Sequence, residues 1–280
     1  MILQFIDLDL NRFDKLCLVC KQAIKEQTMV IDGDTHISGA ASDFSLEANL
    51  EAMQKAGVDK ALVWLSPHHY RGEELTEHNA YVYKAARGHP DRFLPIGWAD
   101  PTVSVEHAKE MVRRSAEEWG FYGVKLNGAQ NNYFIDDPEL ALPVAEEIAK
   151  AGKMIAFHIG PDAYERTHPC RAARVARLYP DTPILMVHMG MTSNDMNRVV
   201  VEMAQECPNM VLIASATSDS LALKAIRTLG VSRVCFGSDR PFRKMNVMKA
   251  MFETAFCDEL SDQEMALFMG GNLARLFGVA

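Results

Sequence analysis

Eight apolar runs rich in β-branched residues alternate along this chain with segments whose apolar residues recur at three- and four-residue spacing. Runs of this kind predict strands, and this spacing predicts amphipathic helices. The predicted strands are residues 29–31, 61–65, 93–98, 123–126, 154–158, 183–188, 210–213 and 234–237. The predicted helices are residues 46–56, 77–88, 105–119, 138–151, 169–179, 195–206, 220–229 and 247–256.

The predicted strands are continuously apolar, which is typical of parallel strands that are buried on both faces. Eight strand–helix units in about 230 residues match the size of a (β/α)₈ TIM barrel, an α/β fold. An open, doubly wound sheet is the alternative, but no glycine-rich phosphate-binding fingerprint follows any predicted strand. We therefore predict one barrel over residues 29–280, preceded by a helical extension over residues 1–28.

Charge and cysteine usage narrow the class of protein. The formal net charge of −8 argues against a nucleic-acid partner, which usually needs a basic face. No apolar run approaches the roughly 20 residues of a membrane span, and the N-terminus does not resemble a signal peptide. The six cysteines show no disulfide framework, so we expect a reducing, cytoplasmic setting, with Cys17 and Cys20 on one helical face.

Polar side chains with metal-binding or acid–base chemistry stand where several predicted strands end. Asp34 and His36 follow the first strand two residues apart, which puts them on one face. The others are His158 after the fifth, His188 after the sixth and Asp239 after the eighth. Because the carboxyl ends of barrel strands share one face, these groups are expected to meet around one divalent ion.

The chain resembles the amidohydrolase superfamily, in particular its aminocarboxymuconate-semialdehyde decarboxylase-like branch of metal-dependent hydrolases. The stretches that carry the resemblance are IDGDTHI, GVKLNG, DDPELALPVAEEIAKAGKMIAFHIG, ILMVHMG, RVCFGSDRPF and MGGNLARLFG. The resemblance implies that His36, His158 and Asp239 bind one divalent metal ion, with Zn expected and Mn as the alternative. It also implies that His188 is either a weak ligand or, in preference, a group that polarises the substrate and orients water, and that Asp239 acts as general base or acid.

Asp34 is the departure from the family pattern, because it occupies the position of the first His in HxH. We predict that it is also a ligand, since a carboxylate binds the same ions; the alternative is a loop residue beside a three-ligand site. Two carboxylates neutralise the charge of a divalent ion, so the ion should acidify a bound water less than an ion with one carboxylate ligand would. Some decarboxylases in the branch that the chain resembles also have a carboxylate at this position, so the resemblance favours decarboxylation.

Four further residues are candidates for binding substrate. Lys125 ends the fourth predicted strand, and Asn127 follows it on the same strand face. His68 lies on the loop after the second strand, and Arg240 directly follows Asp239. Loops at this face of a barrel set specificity, and the cationic groups favour a small anionic substrate.

Three functions are compatible with these residues. The first is a metal-dependent hydrolase of a small amide, lactone or related carbonyl compound, acting through metal-activated water. The second is a metal-dependent, non-oxidative decarboxylase of a small aromatic or unsaturated acid. The third is a non-catalytic barrel whose metal site has decayed. A homodimer or higher homo-oligomer is expected, since such symmetry is common among soluble oligomers.

Overall fold

Eight strands form one sheet of the barrel type. The computed structural model describes residues 29–39, 42–66 and 70–279, so the predicted extension over residues 1–28, with its two cysteines, lies outside the described residues. The strands are β1 Ile31–Ile37, β2 Lys60–Leu65, β3 Phe93–Trp98, β4 Gly123–Leu126, β5 Met154–His158, β6 Ile184–Val187, β7 Met210–Ile213 and β8 Val234–Cys235. They are ordered from β1 to β8, each parallel to the next, which confirms the predicted fold.

The barrel closes where the chain after β8 meets β1. The Gly33 amide donates to the Phe236 carbonyl at 3.0 Å, and the His36 amide donates to the Arg240 carbonyl at 2.9 Å. In the opposite direction, the Asp239 amide donates to the Asp34 carbonyl at 3.0 Å. This seam brings two predicted metal ligands from opposite ends of the sequence side by side.

Helices follow the strands in the order that the sequence predicts. In the described part of the chain they are α1 Leu46–Ala56, α2 Glu73–Gly88, α3 Val105–Arg113, α4 Gly128–Asn131, α5 Ala141–Lys150, α6 Pro169–Leu178, α7 Asn194–Glu206, α8 Asp219–Leu229, α9 Met245–Phe256, α10 Asp262–Ala266 and α11 Asn272–Phe277. Two π-helical segments, Arg114–Glu118 and Leu267–Gly271, continue α3 and join α10 to α11. None of these helices is long and apolar enough to cross a membrane.

The capping signals account for several helix boundaries. The Ser45 side chain accepts a hydrogen bond from the Ala48 amide at the start of α1, and Gly57 ends that helix with a φ of 64°. Asp137, which directly precedes the predicted helix 138–151, forms a turn instead, because its carboxylate accepts from the amides of Glu139 and Leu140. As a result α5 begins at Ala141, three residues later than expected.

The first strand is longer than its apolar run predicts. The run ends at Ile31, yet β1 continues to Ile37 with all seven residues buried. The polar side chains are tolerated there because they find partners: the Thr35 hydroxyl donates to the Leu62 carbonyl at 2.6 Å, and Asp32 accepts from the Asp34 amide. Asp34 and His36 are thus strand residues, which fixes them more rigidly than a loop would.

Candidate metal centre

Three acidic or imidazole side chains converge at the carboxyl ends of the strands. One ligand atom each from Asp34, His188 and Asp239 lies within 4.8 Å of the others, the spacing of a metal site within the described residues. His188 and Asp239 have left-handed backbone, with φ of 71° and 64°. Non-glycine residues rarely adopt that conformation, and it is often retained at functional sites.

Asp34 lies at the centre of this cluster. It is fully buried, and both of its carboxylate oxygens lack a hydrogen-bond partner. Burial by itself raises the pKa of Asp34, but the neighbouring imidazoles of His188 and His36 and the ammonium of Lys125 outweigh it and hold the pKa well below its ordinary value. An ionised, buried carboxylate with no close hydrogen bond is costly unless a cation balances it. The donor set therefore fits a divalent metal ion.

Asp32 fastens the metal-site segments to each other. Its Oδ1 accepts from the amide of Asp34 at 3.0 Å and from the amide of Ser238 at 2.8 Å. Burial raises the pKa of Asp32 to about 7, although these hydrogen bonds act in the opposite direction. Asp32 thus ties β1 to the loop that carries Asp239.

The orientation of His36 is fixed from both sides of its ring. Its Nδ1 donates to the Leu65 carbonyl at 2.6 Å, while its Nε2 faces the cluster, 3.4 Å from Asp34 Oδ1 and 3.7 Å from Asp239 Oδ1. Burial lowers the pKa of His36, but the carboxylates of Asp239 and Asp34 more than compensate and raise it. Nε2 is therefore the atom that would bind a cation.

His188 is held by a residue at the end of β7. Its Nδ1 shares a hydrogen bond of 2.9 Å with the Ser215 hydroxyl and lies 3.4 Å from Asp34 Oδ2. Burial lowers the pKa of His188 to about 4, despite the nearby carboxylates of Asp34 and Asp239. The imidazole is neutral at pH 7 and keeps a lone pair. Its predicted role in polarising the substrate stays a prediction.

His158 has a different partner. Its Nε2 lies 2.9 and 3.1 Å from the two carboxylate oxygens of Asp162, and its ring is 4.8 Å from that of His188, centroid to centroid. Asp162 reaches it from the short 3₁₀ turn Pro161–Ala163. The structure thus places His158 beside the three-residue cluster, with Nε2 engaged. Its role as a ligand stays a prediction.

Lys125 supplies positive charge next to the two carboxylates. Its Nζ lies 3.9 Å from the centroid of the Trp64 ring and 5.4 Å from that of Trp98. Burial lowers the pKa of Lys125 to about 8, although the charges of Asp34 and Asp239 favour the protonated form. The ammonium group is stabilised by the aromatic faces and can still receive an anion.

These side chains open into one cavity of about 450 Å³. Its lining in the described residues is His36, Lys125, Asn127, Ala129, Gln130, His158, Asp162, His188, Met191, Asp239 and Phe242. The Asn127 side chain accepts from the amides of Ala129 and Gln130, so it shapes α4 as well as lining the cavity. A larger cleft of about 540 Å³, lined by Phe134, Tyr164 and Arg171 among others, contains none of the predicted site residues.

One predicted substrate-binding residue, Arg240, is not among the residues that line this cavity. Arg240 is buried, and burial lowers its pKa while the acidic groups of Asp43, Asp32 and Glu51 oppose the shift. His68 lies outside the described residues.

Sequence reasoning missed Asp32, Trp64, Asp162 and Ser215. Ser215 follows the apolar run of β7, so the strand-end rule that identified the histidines also applies to it. Asp162 stands four residues after His158 in HIGPD, a spacing that a turn can close. Trp64 gave no signal, because it lies inside a stretch interpreted only as strand, and Asp32 gave none, because it stands between the predicted strand 29–31 and the predicted ligands.

Comparison with known proteins agrees with this architecture. Residues 31–279 match the model of a family described as amidohydrolase. A comparison with curated proteins returns no match.

Several solved structures share the fold at low sequence identity. A 5-carboxyvanillate decarboxylase from Sphingomonas paucimobilis is 18% identical, with a TM-score of 0.73 over 91% of this chain and 100% of that one. A 2,6-dihydroxybenzoate decarboxylase from Rhizobium is 18% identical, with a TM-score of 0.72 over 90% and 99%. A dihydroxybenzoic acid decarboxylase from Polaromonas sp. JS666, with bound manganese and the inhibitor 2-nitroresorcinol, is 18% identical, with a TM-score of 0.72 over 90% and 98%.

Proposed function

The chain belongs to the amidohydrolase family, and from the chemistry of its cavity we propose that it is a metal-dependent, non-oxidative decarboxylase of a small aromatic or unsaturated carboxylic acid. The observation that carries the proposal is the pairing of the Asp239 carboxylate with the Lys125 ammonium in one cavity, with the buried Asp34 carboxylate next to Asp239. The decarboxylases that share the fold, one of them with bound manganese, support the same reaction. Hydrolysis, which the sequence favoured first, has less support.

The proposed ion is held by Asp34, His36, His188 and Asp239. His158, a predicted ligand, would join only after its Nε2 leaves Asp162. When bound, a divalent ion supplies Lewis-acid chemistry, in which it withdraws electron density from the substrate oxygens it holds. Oxygen and imidazole donors suit both Mn and Zn, so either metal fits this donor set.

Lys125 is proposed to bind the substrate carboxylate. An anion beside its Nζ would meet a charge that water hardly screens, since the residue is 1% exposed. The two indole faces prevent the ammonium from turning away. Phe242, which lies edge-on to His36 at 5.6 Å between ring centroids, offers an apolar surface for a planar substrate.

Asp239 is proposed to deliver the proton. In the reaction, the bond between carbon and the carboxylate breaks, CO₂ leaves, and the electron pair remains on carbon. That carbon then needs one proton: Asp239, a carboxylate on the cavity wall, would take it from solvent water, pass it to the carbon and return to its ionised form. Its left-handed backbone and its amide bond to Asp34 hold the side chain in place.

Isotope labelling tests the reaction. The protein loaded with Mn²⁺ or Zn²⁺ is incubated in D₂O with hydroxybenzoates and unsaturated acids, and headspace CO₂ and product mass are followed. Decarboxylation should release CO₂ and place one deuterium on the carbon that lost the carboxylate. Asp239→Asn should abolish turnover, whereas Asp262→Asn, on an exposed helix start, should keep it. The proposal is wrong if ¹⁸O from labelled water enters amides or lactones while no acid releases CO₂.

A further inference from the structure

Trp64 contacts both the proposed metal site and the proposed substrate anchor. It is the last residue but one of β2 and is fully buried. Its indole N–H donates to His36 Nε2 at 3.2 Å, and its ring face lies under the Lys125 ammonium. One side chain thus contacts a proposed metal ligand through its edge and a proposed substrate anchor through its face.

The hydrogen bond to His36 uses the atom that would bind the metal. The Nδ1 of His36 faces the Leu65 carbonyl, which can only accept, so Nδ1 carries the hydrogen. In the neutral ring Nε2 then has a single lone pair in the ring plane. An indole N–H can only donate, so the Trp64 N–H donates its hydrogen bond to this lone pair.

We propose that Trp64 is a positioning residue that competes with the metal ion for His36 Nε2, holding the ring in the metal-free protein and giving up the hydrogen bond when the ion binds. The inference rests on the metal-binding part of the proposed function. It follows from geometry, because the same Nε2 lies within 3.7 Å of both carboxylates of the cluster. A lone pair engaged by an N–H is not free for a cation.

The competition should weaken metal binding measurably. On metal binding the buried indole N–H loses its acceptor, and an unmade buried hydrogen bond disfavours the bound state. Removing the N–H should therefore tighten metal binding by about tenfold, the equivalent of about 1.4 kcal/mol.

Trp64→Phe tests this, with Trp119→Phe as the control for the loss of an indole. Trp119 packs against Tyr83 and Phe121, with ring centroids 6.2 and 5.5 Å away, and it does not line the cavity. Zn²⁺ affinity is measured by chelator competition at about pH 8.5, well above the ordinary pKa of an imidazole, because the carboxylates of Asp239 and Asp34 raise the pKa of His36. Trp64→Phe should bind Zn²⁺ about tenfold more tightly than wild type, and Trp119→Phe should match wild type. Equal or weaker binding by Trp64→Phe, with wild-type binding by Trp119→Phe, overturns the proposal.

A measurement on the unaltered protein guards against a poorly folded variant. The chain has three tryptophans, so its indole ¹H–¹⁵N signals can be assigned with Trp98→Phe and Trp119→Phe. Adding Zn²⁺ should shift the Trp64 signal and speed its hydrogen exchange, while the signal of Trp119, which does not line the cavity, stays in place. A Trp64 signal unmoved at saturating Zn²⁺ overturns the inference alone. Failure of the wild-type protein to bind Zn²⁺ or Mn²⁺ at all would instead overturn the proposed function.

Discussion

At the scale of single residues, the balance of charge in the cavity separates the two candidate reactions. In the proposed site, the carboxylates of Asp34 and Asp239 would together neutralise the charge of a divalent ion. A neutralised ion acidifies water less than one with net positive charge, which disfavours hydrolysis. The Lys125 ammonium then remains as the group that attracts an anionic substrate. Decarboxylation needs such an anchor and needs no metal-activated water.

Asp34→Asn should nearly abolish metal binding. The substitution keeps the shape of the side chain but removes the buried charge that a cation would balance. Even the partners of metal ligands contribute about 10–100-fold to affinity, so loss of this ligand should weaken binding by more than about 100-fold. Metal content after dialysis, measured by mass spectrometry, checks this. Glu47→Gln, on the exposed face of α1, is the control and should retain the ion. Full metal content in Asp34→Asn would contradict the assignment.

Ser215→Ala should weaken metal binding by about tenfold, because the hydroxyl that orients His188 is lost. The effect is expected to be smaller than that of Asp34→Asn, since the imidazole itself remains. Chelator competition gives the affinity directly and needs no substrate. Ser220→Ala, an exposed serine at the start of α8, should behave as wild type. Unchanged affinity in Ser215→Ala would mean that His188 does not hold the ion.

At the scale of elements, the sequence predicted what depends on hydrophobic periodicity and missed what depends on polar pairing. All eight strands and the order of helices were predictable, because apolar runs and glycine ends mark them. The length of β1 was not, since Asp32 and Thr35 are stable in a strand only through partners distant in sequence. The contact of Asp162 with His158 depends on a turn that periodicity does not encode.

Gly270 and Gly271 test how tightly the C-terminal π-helical segment packs on β1. A Cβ at Gly270 would lie 2.1 Å from the Met29 carbonyl oxygen, whereas one at Gly271 would lie 3.2 Å from the Ala266 carbonyl oxygen. Because backbone cannot give way easily, Gly270→Ala should lower the free energy of unfolding by about 3 kcal/mol or more. Gly271→Ala should change it by less than about 1 kcal/mol. Urea unfolding midpoints compare the two; equal midpoints would contradict the packing described.

At the scale of the whole molecule, the metal cluster lies across the weakest part of the barrel wall. β8 is two residues long, and three backbone hydrogen bonds together with Asp32 connect the chain after it to β1. Asp34 and Asp239 stand on opposite sides of this seam. An ion bound by both residues would therefore stabilise the closed barrel in addition to its role in the reaction.

Amide hydrogen exchange should reveal this second effect. In metal-free protein, the seam amides of Gly33, His36 and Asp239 should exchange faster than the Ile155 and Ile184 amides, which bond within the continuous sheet. An ion at about 100 times its Kd stabilises the closed form by about 2.7 kcal/mol, so seam exchange should slow by up to about 100-fold. In Asp34→Asn, adding the ion should leave the difference in exchange rate between the seam amides and the sheet amides unchanged. Seam amides as protected as the sheet amides before any metal is added would show that the barrel closes without help from the ion.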